Sequence, residues 1–302
     1  MKLTHIVGNT YVVETNMVSV GIYIFEDQQQ CLLIDSGANP TQAEEIFNIL
    51  SANGWGIYAI FNTHSHADHC GGNHYIQSKS QCKIYASATE AAFIENPILI
   101  PYSMYSAYPL KLLTGKFLMP QPSTVTNIIS SNLELINNSP FKIIDLSGHS
   151  LGHLGIITPD QVLFVGDSLI SIEALLTNPF LYLANPQQQL VTFDNLKSVV
   201  VPYYYLSHGG LAENFPAIID ANYNLLLTII DLILDIIRTP AGLETIIKEI
   251  IVRQGLQVNR NHYFRLSAGI SAFLSYLCNN GQAKVFSENN NLYYQAVVEK
   301  FK

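Results

Sequence analysis

A chain of 302 residues is long enough for one large domain, or for a domain of roughly 200 residues with an appendage, and 48% hydrophobic against 13% charged residues excludes a disordered or fibrous protein. The formal charge of −8 is unevenly spread: residues 1–215 hold seven Lys, no Arg and sixteen Asp plus Glu, and the first arginine is Arg238. Phosphate backbones are gripped by Arg forks and basic patches, so such a stretch argues against a nucleic-acid groove, although bound divalent metal would reverse the sign locally.

The opening MKLTHIVGNTYVVETN lacks the apolar core and small-residue cleavage site of a signal peptide. Cys31, Cys70, Cys82 and Cys278 form no C-x-x-C pair, which fits a reducing interior, and the expected location is cytoplasmic. VSVGIYIFE and CLLIDSG, divided by DQQQ, read as a hairpin; PTQAEEIFNILSANG reads as a helix that starts at a proline and stops near Gly54. GIYAIFNTH is a further buried strand. Residues 96–127, with five prolines, two methionines and Tyr102, Tyr105 and Tyr108, interrupt the alternation, as do residues 171–189, and both read as insertions. The three tyrosines either line an apolar lid or pack into the core. FKIIDLSGHS, GIITPD, QVLFVGDSLI and YYYLSHGG are apolar strands, each closing on small or polar residues.

Past a boundary near Phe215 and Pro216 the pattern turns helical. The run NLLLTIIDLILDIIRT is broken by Asp231 and Asp235 and falls short of the ~20 clean residues a bilayer needs, which argues against a membrane span. Its polar residues Asn224, Thr228, Asp231, Asp235 and Arg238 form one stripe. The remaining circumference must be buried, against the preceding domain or across a homodimer. TPAGLETIIKEIIVRQGL and NHYFRLSAGISAFLSYLCNNGQ are two more helices, and AKVFSENNNLYYQAV is a closing hairpin with an Asn-rich turn.

The stretch FNTHSHADHCGG places three histidines and an aspartate in six positions of a chain with nine histidines. Neutral imidazole and carboxylate suit zinc and related ions. On a loop after a strand, His64 and His66 can face one ion while Asp68 and His69, past a turn eased by Gly71 and Gly72, face another. Later strand ends offer His149 and His153 in SGHSLGH, Asp167 in VGDS and His208 in LSHGG. His5, His74 and His262 have no such company and read as ordinary surface residues, and Cys70 as a thiol packed under the loop.

THSHADHCGG together with GHSLGH resembles the metallo-β-lactamase-fold hydrolases, and among them the glyoxalase II-like branch, over residues 1 to about 215. The resemblance implies an α/β fold, a four-layer αβ/βα sandwich in residues 1–215, followed by a small helical, winged-helix-like domain in residues 216–302. It implies His64, His66 and His149 on a first metal, Asp68, His69 and His208 on a second, and Asp167 bridging both. The implied cofactors are two zinc ions per chain, with iron or manganese as alternatives. Asp68 and Asp167 are then the catalytic carboxylates, acting as ligands first. His153 is implied to be a supporting or substrate-side group, and Asp35 a support of the histidine loop.

Two ions about 3.5–4 Å apart share a water and lower its pKa toward ~7, and metal-bound hydroxide would then cut an ester, thioester, lactone, amide or phosphodiester. The arginine-free acidic stretch and the apolar 96–127 insertion favour a carboxylic ester, lactone or thioester with an apolar acyl part. The other readings of the same residues are a single-strand ribonuclease, with Arg260 and Arg265 as phosphate contacts, and a metal-binding regulatory protein with little turnover. The basic cluster with which glyoxalase II holds glutathione has no equivalent after His208. The expected partner is a small-molecule carbonyl compound, without nucleic acid or membrane.

Overall fold

The computed structural model describes residues 1–25, 29–116, 118–177 and 179–297. Antiparallel strands β1 (Lys2–Val7), β2 (Thr10–Glu14), β3 (Val20–Phe25) and β4 (Gln30–Ile34) open the chain. The last two are the expected hairpin; residues 26–28 at its turn lie outside the described residues, as do Phe117 and Asn178 of the two insertions. Helix α1 (Pro40–Ala52) crosses to β5 (Gly56–Phe61), parallel to β4. After α2 (Ala67–Cys70) and α3 (Asn73–Ser80) come β6 (Lys83–Ser87), α4 (Ala88–Glu95), α5 (Leu99–Tyr105) and β7 (Asn127–Ile129), completing a seven-stranded sheet in chain order. A six-stranded sheet follows, built from β8 (Leu133–Ile136), β9 (Ser139–Asp145), β10 (Leu154–Ile157), β11 (Val162–Phe164), then α6 (Ile172–Thr177) and α7 (Pro186–Lys197), then β12 (Tyr203–Leu206) and β13 (Gly210–Leu211). The chain ends in α8 (Phe215–Ile236), α9 (Leu243–Gln254), α10 (Arg260–Asn279) and the hairpin of β14 (Ala283–Glu288) and β15 (Asn291–Ala296).

Side-chain alternation makes the layers. In β4, Cys31 and Leu33 point to a core shared with Ile46 and Leu50 of α1 and Ile76 of α3. Leu32 and Ile34 of the same strand point the other way, against Phe141, Ile156 and Phe164 of the second sheet. The second sheet's outer face, through Leu163 and Leu206, packs on Phe193 and Leu196 of α7 and on α8 to α10. The result is helix, sheet, sheet, helix: the four-layer αβ/βα sandwich. Local signals agree with it: Asn39 caps α1 by accepting from the Gln42 N–H, and Pro40 occupies the first turn where no donor is lost.

By length and composition α8 could cross a bilayer, yet nine of its residues, from Phe215 to Ile236, are buried inside the chain. Its apolar face is covered by Phe193 of α7, Ile246 and Ile250 of α9, and Ile270 and Phe273 of α10. The helical region is also continuous with the sheet beneath it, since the Phe215 ring stacks on Tyr204 with centroids 3.7 Å apart. Residues 1–215 expressed alone are therefore expected to expose the outer face of the second sheet and aggregate. Size-exclusion chromatography showing a soluble, folded monomer of 1–215 would contradict that expectation.

Candidate metal centre

Parallel pairing brings the chemistry to one edge of each sheet. β4 and β5 run side by side, so Asp35 and the Thr63–Cys70 loop leave the first sheet together; β11 and β12 do the same for Asp167 and His208. Asp35 sits in the left-handed region (φ 65°), which an aspartate tolerates better than most residues, and this turns its buried carboxylate under the histidine loop. One oxygen accepts from the Thr63 N–H (2.9 Å); the other accepts from Thr63 Oγ1 (2.9 Å) and His69 Nδ1 (2.7 Å). Asp35 thus supports the loop, as the resemblance implies. Gly71 and Gly72 act differently from expected. Their φ values, −63° and −87°, are open to any residue, but a Cβ would collide with the carbonyl oxygens of Ala38 and Ala67 at Gly71 and of Ser36 at Gly72. They permit close backbone approach and do not ease a turn. Cys70 is buried, its thiol donating to the Ser65 carbonyl.

The seven candidate ligands fall into two groups, His64, His66 and His149, and Asp68, His69, Asp167 and His208, with the ligand atoms of each group within 4.8 Å of one another. In the first group, Thr63 Oγ1 gives its proton to Asp35 and so accepts from His64 Nδ1, while His149 Nδ1 donates to the Tyr182 carbonyl. Both Nε2 atoms are left as lone pairs, and both face His66 Nδ1, at 3.1 and 2.9 Å. A proton on His66 could satisfy only one of those contacts. Burial lowers all three imidazoles: His64 and His66 are shifted down, and His149 is pushed down to about 3, with His66 adding to the effect. Three imidazoles whose charged form burial disfavours thus converge in one group.

In the second group, His69 Nδ1 donates to Asp35 and His208 Nδ1 to the Met17 carbonyl, which leaves the Nε2 atoms to carry a proton or a metal. These face carboxylates: His69 Nε2 lies 3.1 Å from Asp167 Oδ1, and His208 Nε2 lies 3.3 Å from Asp68 Oδ2 and 3.4 Å from Asp167 Oδ1. At 3.1 Å the first contact lacks hydrogen-bond angles, so both buried atoms remain without a hydrogen-bond partner. Asp167 also reaches back, Oδ2 lying 3.7 Å from His149 Nε2, which puts it between the groups. The Asp167 carboxylate pushes His208 up to about 10. Burial alone would lower His69, but Asp167, Asp35 and Asp68 raise it well above the usual range. Burial would likewise raise Asp68, yet His69 and His208 hold it below the ordinary carboxylate value. Imidazoles with two carboxylates and orphaned buried atoms form a donor set that fits a divalent ion of the zinc, iron or manganese kind.

His153 lies behind the site and not on its substrate side: fully buried, it stacks on His64 at 4.8 Å and its Nε2 accepts from the Asp167 N–H at 3.0 Å. The pocket of about 390 Å³ over the centre has His66, Asp68, His149, Asp167 and His208 in its floor. The 96–127 insertion does form part of its wall, but through Ile100, Met104 and Leu118; Tyr102 and Tyr108 are exposed, and Tyr105 packs edge-on against Phe264 of α10 at 5.5 Å. The other insertion supplies Ala174, Phe180 and Tyr182, and α10 supplies His262, Arg265 and Leu266. His262, which has no sequence neighbour to mark it, is therefore a wall residue. Glu90, buried beside the histidine loops, carries no sequence signal beyond a helix-capping pattern.

Proton linkage separates the two groups. Carboxylates push His69 and His208 up, so metal there competes with protons, whereas burial pushes His64, His66 and His149 down. Loading the second group is expected to release protons near neutral pH and to tighten as pH rises toward the raised His208 value; uptake by the first group should depend less on pH and release fewer protons. Titration calorimetry in buffers of differing ionisation enthalpy reads both quantities, and proton-neutral loading of both equivalents would contradict this assignment.

Residues 15–208 match the family model of the metallo-beta-lactamase superfamily. The chain is 27% identical over 142 residues to a hydroxyacylglutathione hydrolase of Rhodospirillum rubrum, covering 47% of this chain and 43% of that one. It is 28% identical over 158 residues to hydroxyacylglutathione hydrolase 1 of Vibrio vulnificus, covering 52% and 51%. The match thus spans about half the length of these curated relatives. Among solved structures, a metallo-beta-lactamase family protein from Thermus thermophilus superposes with a TM-score of 0.73 at 16% identity, covering 96% of this chain and 99% of that one. A beta-lactamase domain protein from Burkholderia ambifaria gives 0.73 at 15% identity, covering 98% and 93%. With a family match over more than half its length and the same fold throughout, the chain belongs to the metallo-beta-lactamase superfamily.

Proposed function

We propose that this protein is a dinuclear, metal-dependent hydrolase that holds two zinc ions and cleaves a small carboxylic ester, lactone or thioester with an apolar acyl part. The observation that carries the reading is the convergence of two donor groups on the floor of a pocket whose wall is largely apolar. His64, His66 and His149 would hold one ion, Asp68, His69 and His208 the other, with Asp167 shared between them. Divalent ions bound there supply Lewis acidity toward a carbonyl oxygen and an acidified water.

The remaining work falls to the chain. Ile100, Met104, Leu118, Ile170 and Phe180 offer the acyl part an apolar surface that excludes water. Burial raises the Tyr182 phenol, which keeps it protonated and leaves a hydrogen-bond donor in the wall. The hydroxyacylglutathione hydrolases among the relatives make a thioester the first bond to assay. Arg265 is the one Lys or Arg among the described lining residues, and it suits a single anionic group on the substrate, remote from the bond that breaks. Arg260 does not line the pocket, and one guanidinium gives little purchase on a polyanion, which weighs against ribonuclease chemistry.

Zinc-loaded protein assayed against esters, lactones, thioesters and single-stranded RNA tests this reading. In the preferred series kcat/KM should rise over the first few acyl carbons, each buried CH₂ being worth up to ~0.8 kcal/mol, about fourfold. Phe180→Ala should flatten the slope. Asp167→Ala should disable both metal equivalents, and His208→Ala mainly the second. A flat wild-type series, or RNA cleaved faster than every carbonyl compound, would overturn the assignment. Arg265→Gln should lower kcat/KM about 10- to 100-fold for substrates bearing a carboxylate and leave their neutral analogues unchanged; equal losses on both would show that the guanidinium does not read charge.

A further inference from the structure

Glu90 is a buried carboxylate, 2% exposed, on the first turn of α4, and it takes no part in the chemistry described above. Among the described residues, no Lys or Arg forms an ion pair with it. Leaving such a charge inside a protein is unfavourable unless hydrogen bonds satisfy it. The donors that reach its carboxylate lie on the two loops that carry the histidines. Oε2 accepts from the Ser65 N–H at 2.9 Å, and Ser65 lies between His64 and His66. Oε1 accepts from Ser150 Oγ at 2.8 Å and from the Gly152 N–H at 2.9 Å, both residues lying between His149 and His153.

The sequence Ser87-Ala88-Thr89-Glu90 has the form of a capping box, in which the glutamate would reach back to the N–H of the capping residue. Here only half of that box forms. Ser87 Oγ accepts from the Glu90 N–H at 3.2 Å, while the Glu90 carboxylate turns away to the histidine loops. The fit is close as well, because a Cβ on Gly152 would strike Ser87 Oγ and crowd Thr89 and Glu90. The loop of His64 and His66 leaves β5 in the first sheet, and the loop of His149 leaves β9 in the second. Besides Glu90, a backbone bond from the Leu154 N–H to the Thr63 carbonyl (2.9 Å) ties the two together.

We propose that Glu90 is a positioning residue for the tri-histidine group: its carboxylate clamps two loops from different sheets and so sets where the His149 nitrogen stands relative to those of His64 and His66. The inference rests on the metal-binding reading above. Loss of the clamp lets the His149 loop drift relative to the His64–His66 loop, and the first group loses affinity while the second, braced by Asp35 and the Met17 carbonyl, keeps it.

The test is a zinc titration of wild type, Glu90→Gln and Ser150→Ala against a competing chelator, with the melting temperature of each metal-free protein measured in parallel. Glu90→Gln puts an amide donor opposite a donor, and one equivalent should weaken about 10- to 100-fold while the other is unchanged. In a His208→Ala background the same substitution should weaken the strongly bound equivalent that remains, assigning the effect to the tri-histidine group. Ser150→Ala removes one arm and leaves both backbone arms, so it should shift the same constant in the same direction by less. A Glu90→Gln protein that melts lower yet binds both equivalents like wild type has lost only structure, and the proposal fails. Should Glu90→Gln not fold, Ser150→Ala decides, and an unchanged constant overturns the clamp. A wild type that takes up no metal sinks the functional reading and the clamp together, whereas wild-type uptake of two ions with unaltered variants sinks the clamp alone.

Discussion

The structure depends on a repulsion. Five imidazole nitrogens and two carboxylates are aimed at one small volume, and His64, His69, His149 and His208 have each spent the other nitrogen's proton on a partner behind the ring. In the first group imidazole nitrogens face one another at about hydrogen-bond distance, and in the second they face carboxylates. A proton relieves the second arrangement, which is why His69 and His208 are pushed up, but burial denies that relief to the first, where His149 is pushed down. The imidazoles of the two halves are therefore shifted in opposite directions, with Asp167 lying between them.

Holding such a convergence requires rigid support, and the support is buried and polar. Asp35 orients His69 and, through Thr63, His64; His153 holds the Asp167 backbone; Glu90 joins the two histidine loops. Each of these groups is almost fully buried, and each makes its hydrogen bonds beside the candidate ligands, although His153 Nδ1 has no hydrogen-bond partner. Truncating any one would leave its partners desolvated and unpaired, which is the costly direction for a buried hydrogen bond. The folded scaffold and the preorganised site are therefore coupled.

What could be read from the sequence follows from how local each signal is. The histidine loop, GHSLGH, Asp167 and His208 were legible because metal ligation demands particular side chains at strand ends, and strands show as apolar runs. Asp35 was legible only through the family resemblance, since it is not among the candidate ligands. Glu90 was not, since its pattern with Ser87 is that of any capped helix and its partners lie 25 and 60 or more residues away. His262 and Arg265 were opaque as pocket residues because nothing in α10's own pattern says which element packs against it. The tyrosines of the 96–127 segment left a lid and core packing equally open, and neither describes Tyr102: a helical turn decides orientation, and α5 turns Ile100 and Met104 toward the pocket while Tyr102 stays exposed. Gly71 and Gly72 suggested a turn, whereas the constraint is a neighbouring backbone distant in sequence.

The division between floor and wall has a consequence for specificity. Every floor residue comes from residues 64–208, within the stretch matched by the family, whereas Arg265, His262 and Leu266 come from α10, beyond it. The wall from residues 100–118 reaches the site only because α5 docks on α10, with Tyr105 against Phe264. Phe180 is tied to the same helix through Phe273, their ring centroids 5.8 Å apart. Two sequence-distant segments thus share one support, α10, which holds none of the candidate ligands. A substitution on the buried face of α10 can reshape the wall, and through the Tyr182 carbonyl, which accepts from His149 Nδ1, it also touches the first donor group. Reaction type is accordingly written in strand ends that local sequence reveals, and substrate choice in helix packing that it does not.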